Sequence, residues 1–106
     1  MLPKENRLTT KEWNTVYVNG RRIKSPYFTL IYHKVQPKTP NKIGISVPKK
    51  RAKTAVLRNK IKRSILLLCD MWAREMNGLH VEIIVNNYEN MKAFEKELKN
   101  TLNSFV

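Results

Sequence analysis

Two basic runs carry the densest chemistry in this sequence: Lys49-Lys50-Arg51-Ala52-Lys53, then Arg58-Asn59-Lys60-Ile61-Lys62-Arg63. An arginine fork matches phosphate oxygens bidentately, and a lysine adds a compact charge. An asparagine amide both donates and accepts, which suits a sugar, a phosphate or an ion-bound water. If the second run is helical, Arg58 and Lys62 are i,i+4 neighbours, as are Asn59 and Arg63. All four then lie away from the apolar stripe of Leu57, Ile61 and Ile65. A solvated helix face is the plain alternative. Such faces normally mix signs, whereas this helix meets no acid before Asp70.

A second set of residues could stack on unpaired bases. Trp13 and Tyr17 are i,i+4 neighbours flanking Val16, and Tyr32 sits in a run of β-branched and aromatic residues. Aromatic faces bind single strands without sequence preference, at about 1–3 kcal/mol per base. The same side chains could pack a core, and spacing leaves both readings open for Trp13, Tyr17 and Tyr32, while Val16 reads as core. His33 and His80 have no Cys, Asp or Glu at ligand spacing, so no metal site is expected. Cys69 lies on the apolar side of its helix and reads as an inert buried thiol. The acids are too scattered for a paired-carboxylate site. No protein catalytic centre is expected.

Charge extends the first reading. Of the 106 residues, 21 are Lys or Arg and 8 are Asp or Glu, a net charge of +13. From Trp13 to Cys69 there are 14 basic residues and no acid, while the remainder is close to neutral. A positive field without compensating acids attracts polyanions and predicts steep salt dependence. Nucleic acid is the leading partner. An anionic membrane fits less well, because the cations do not share one amphipathic helix with an apolar, aromatic face. The length suits one domain, residues 1–106, and 42% hydrophobic residues rule out a disordered tail. The longest apolar run, Ile65 to Cys69, is far too short to span a bilayer, and residues 1–7 do not read as a signal peptide. The single cysteine excludes an internal disulfide. A cytoplasmic protein is expected.

The elements that must position these residues follow from periodicity. Thr9 and Glu12 have capping-box spacing, and a helix over about 10–18 is predicted to end at Gly20 in a left-handed conformation. Tyr27 to Lys34 and Ile43 to Val47 read as paired antiparallel strands joined by the turn Gln36 to Asn41, with Pro26 admitting the first from an edge. A further short strand is expected at Arg22 to Lys24. Leu57, Ile61, Ile65, Leu68 and Trp72 mark a helix from about Lys53 to Glu75, stopped by Asn77-Gly78. A strand over Val81 to Val85 follows. Asn90 then caps a last helix with apolar positions Phe94, Leu98, Leu102 and Phe105. The fold class is α+β: a small mixed sheet with helices, in the order αβββαβα.

The run Ile43-Gly44-Ile45-Ser46-Val47-Pro48-Lys49-Lys50, followed by Arg58-Asn59-Lys60-Ile61-Lys62-Arg63, closely resembles the signature of the bacterial ribonuclease P protein component. Leu2 to Leu8, Trp13, Tyr17, Gly20 and Phe28-Thr29-Leu30 also match, so the resemblance covers nearly the whole chain. It implies an accessory subunit of an endoribonuclease that removes the 5′ leader of precursor tRNA, with catalysis by the RNA subunit. It also implies Mg2+ held mainly by that RNA and the substrate, one protein per RNA, and a left-handed strand–helix–strand crossover against the usual right-handed rule. By the resemblance, Lys49, Lys50, Arg51, Lys53, Arg58, Asn59, Lys60, Lys62 and Arg63 face the catalytic RNA. Trp13, Tyr17, Tyr32 and Ser46 line a cleft for the leader.

The match has departures. Lys60 stands where Arg is commoner, and Pro48 where a small residue or Lys is usual. Leu66 and Leu67 replace an Arg and a Glu, which puts the leader-facing end of the cleft in doubt. Two other classes share parts of the pattern. A ribosomal protein would share size and charge. A helix-turn-helix DNA binder would need a short turn before its recognition helix, where this chain has a strand and a Lys-rich loop.

Overall fold

The computed structural model describes residues 3–104. After a single 3-10 turn at Lys4–Asn6 come α1 (Thr10–Asn19), β1 (Arg21–Lys24), β2 (Phe28–Lys34), β3 (Lys42–Ser46), α2 (Ala55–Ala73), β4 (Leu79–Val85) and α3 (Met91–Asn103). The order is the expected one. Phe105 lies outside the described residues.

The sheet runs β1-β2-β4-β3. This corrects the expected hairpin, because β2 and β3 are not neighbours. β4 lies between them, antiparallel to β2 and parallel to β3, and α2 makes the β3–β4 crossover. Burial explains the order. Five of the seven β4 residues are buried, including Glu82 between Val81 and Ile83, so β4 takes the centre, while partly buried β3 takes an edge. β2 is likewise internal, so Pro26 does not admit it from an edge; the proline precedes the strand.

Register separates the two faces. Ile23, Leu30, Ile83 and Ile45 form one row across the sheet and pack with Ile61, Ile65 and Cys69 of α2 and with Phe94 and Leu98 of α3. Arg22, Ile31, Glu82 and Gly44 form the adjacent row on the opposite face, which α1 covers. Phe28 and Phe94 join the layers, with ring centroids 5.3 Å apart.

Local signals set the helix ends. At α1 the Glu12 N–H donates to Thr9 Oγ1 at 3.2 Å, and the Thr9 N–H donates to Glu12 Oε1 at 2.9 Å. Gly20 is extended (φ −77°, ψ 161°), not left-handed. It is small for a different reason: a Cβ there would lie 2.5 Å from the Val16 carbonyl oxygen. α2 is shorter than expected at both ends. Thr54 caps it through the Leu57 N–H at 3.1 Å, and its final carbonyls are taken by buried asparagines. Asn41 Nδ2 donates to Trp72 O at 2.9 Å, and Asn6 Nδ2 donates to Ala73 O at 2.7 Å and Asn41 O at 2.9 Å. Gly78, at φ +66°, then turns the chain into β4. The apolar stripe begins at Ile61; Leu57, expected in the core, is 44% exposed.

Candidate nucleic-acid interface

The first basic run is a turn held at both ends. The Arg51 and Ala52 N–H groups donate to Pro48 O at 2.9 and 3.3 Å, and Ala52 is buried as an anchor. Pro48 stands at the first position of this turn and supplies its accepting carbonyl. Lys49, Lys50, Arg51 and Lys53 are left exposed. Arg58 Nη1 donates to Ala52 O at 3.0 Å and Lys53 O at 3.3 Å, tying this loop to the first turns of α2.

Along α2 the polar residues divide. Asn59 and Arg63 point outward and are exposed, while Arg58 and Lys62 border the apolar stripe and are half-buried. Lys60 is exposed on the other flank, beside Leu57 and Ser64. Among the described residues, close ion pairs join Lys42 to Glu12 at 2.8 Å and Arg74 to Asp70 at 3.1 Å, and none involves these cations. The loop and α2 therefore present a field of positive charge without internal neutralisation.

A second surface forms around α1. Val16 is fully buried as expected. Trp13 is half-buried against Gly44, where a Cβ would lie 2.6 Å from the indole. Only glycine leaves room for the ring. Tyr17 is 47% exposed, with the Arg22 guanidinium 4.6 Å from its ring centroid. Ser46 shares the sheet face of Gly44 two residues on and is half-buried. Tyr32 does not join them. It pairs with Val81 and packs against the main core on the face covered by α2 and α3, so the two-residue period of the strand removes it from the expected cleft.

Sequence reasoning missed Arg22 beside Tyr17 and the burial of Glu82 beneath α1. The signal for Arg22 was its cross-strand row with Ile31, visible only once register is known. Burial pushes the Glu82 carboxyl up to about 7, against the opposing pull of Arg22 and the Tyr17 backbone. Burial likewise pushes the Cys69 thiol up to about 12, consistent with an inert core residue. Burial lowers the His80 imidazole. The described residues bring no three His, Cys, Asp or Glu side chains together at a spacing fit for a metal ion.

The whole chain has close relatives. Residues 2–106 match the family model described as Ribonuclease P. The ribonuclease P protein component of Picosynechococcus sp. is 38% identical over 95% of this chain and 90% of its own length. That of Pseudanabaena sp. is 32% identical over 96% and 92%. The solved RNase P protein of Thermotoga maritima superposes with a TM-score of 0.74 at 21% identity, over 91% of this chain and 94% of that one.

Proposed function

Because this chain belongs to the ribonuclease P protein family, and so is the protein component of a tRNA-processing ribonucleoprotein, we propose that its loop and α2 hold the catalytic RNA while its α1 surface takes the precursor-tRNA leader. The observation that carries the proposal is the set of cations that form no ion pair among the described residues: Lys49, Lys50, Arg51, Lys53, Lys60, Lys62 and Arg63, with Asn59 between them. Phosphate contacts of this kind fix position on RNA without reading sequence. Arg58 holds the loop against α2 and so sets the spacing between the two basic runs.

Trp13, Tyr17 and Ser46 lie on the face left partly open beside α1, with Arg22 stacked on Tyr17. An unpaired leader strand needs such a surface: aromatic planes for its bases and nearby cations for its phosphates. In this assembly the RNA is the catalyst and holds the magnesium ions together with the substrate, and one protein serves one RNA in the cytoplasm. The protein supplies charge that offsets repulsion between two polyanions. Among the described residues, no helix is long and apolar enough to cross a membrane.

Reconstitution tests this reading. Rigorously RNA-free protein should not cleave precursor tRNA at any magnesium concentration. Added to its cognate catalytic RNA, it should lower the magnesium required for cleavage. Cleavage by the protein alone, or an unchanged magnesium requirement, would contradict the proposal.

A further inference from the structure

Between the N-terminal half of α2 and the β4–α3 connection lies a cavity of about 320 Å3. Its floor is apolar: Ile61 is buried, but Leu57 and Met91 remain 44% and 50% exposed. Tyr88 closes one end, edge-on to Phe94 with centroids 4.9 Å apart. The Tyr88 hydroxyl is buried near Ser64 and has, among the described residues, no hydrogen-bond partner of good geometry. Ser64 Oγ donates to Lys60 O at 3.1 Å, which leaves its lone pairs available. Arg51 and Lys60 stand at the rim with one acid, Glu89.

We propose that this cavity seats one unstacked, amino-bearing base of the partner RNA. The proposal rests on the reading that the loop and α2 face that RNA. A base has two apolar faces and a polar edge, which matches a Leu57/Ile61/Met91 slot ending in a few polar groups. The flanking phosphates fall to Arg51 and Lys60. These two cations belong both to the basic surface and to the cavity rim, so a strand gripped by that surface passes the cavity mouth. Glu89 repels phosphate but accepts a hydrogen bond from an exocyclic amine, so it favours adenine, cytosine or guanine at this point.

Chemical probing of the cognate catalytic RNA tests the proposal, with dimethyl sulfate for adenine and cytosine and kethoxal for guanine. Wild-type protein should protect one unpaired base that is reactive in the free RNA. Ser64→Leu fills the cavity from α2, and Met91→Trp fills it from its exposed side, so one variant serves if the other does not fold. Each folded variant should lose that single protection, keep the rest of the footprint and bind about tenfold more weakly. Unchanged affinity and an unchanged footprint in both would overturn the base pocket while leaving the RNA reading intact. No footprint from wild-type protein would overturn both.

Discussion

Arg58 commits two of its hydrogen bonds inside the protein, to the carbonyls of Ala52 and Lys53. Its position off the apolar stripe suggests an outward-facing cation. The geometry separates it from Arg63. Arg58→Ala should lower stability by about 0.5–1.5 kcal/mol per hydrogen bond lost as well as weaken RNA binding. Arg63→Ala should weaken binding with an unchanged melting temperature, and thermal denaturation of both variants checks the contrast. Glu82 supplies a prediction about pH. Its carboxyl is raised from the ordinary 4.5 to about 7 in the folded protein. The folded state therefore binds its proton more tightly than the unfolded state does. Its contribution is fullest below pH 4.5 and is lost as pH rises toward and through 7. Glu82→Gln should flatten that part of the stability–pH curve and raise the melting temperature at pH 8. A variant less stable than wild type at pH 8 would contradict this. The basic motif was legible because its side chains reach solvent directly. The fates of Tyr32 and Glu82 were not, because the face of a strand residue depends on neighbours distant in sequence.

Among the elements, α2 is the frame on which the proposed RNA surface stands. Its C-terminus is fixed by Asn6, at the end of the 3-10 turn, and by Asn41, in the segment read from sequence as a turn. Asn41 Oδ1 also accepts from the Leu79 N–H at 3.0 Å, joining α2 to β4. Asn41→Ala takes the side-chain acceptor from the buried Leu79 N–H and should cost about 1–3 kcal/mol, read by denaturant unfolding. Helices were legible through their 3.6-residue stripes and caps. Strand order was not, because β2 and β3 each look like half of a hairpin until the doubly buried β4 claims the place between them. α1 carries the leader prediction. Trp13→Ala should weaken precursor-tRNA binding by the holoenzyme by about 1–3 kcal/mol and leave mature tRNA nearly unaffected. Equal losses for both ligands would make Trp13 a packing residue. Leu66, at a position where the family resemblance implied an exposed Arg, is instead half-buried against the core that α2 and α3 cover.

At the scale of the whole molecule, 14 cations without an acid between Trp13 and Cys69 meet a fold in which, among the described residues, the loop and α2 members of that set have no ion-pair partner. Excess charge destabilises a compact domain by self-repulsion, so its retention on one surface is explained by a polyanionic partner. Counterion release makes this measurable, since each phosphate contact contributes about one unit to the slope of log affinity against log salt. The central measurement is that slope for cognate catalytic RNA, compared between wild-type protein and the Lys62→Ala/Arg63→Ala double variant. The account predicts a slope shallower by about two, with circular dichroism unchanged. An identical slope would mean that these cations do not touch the RNA, and the proposed interface would be wrong.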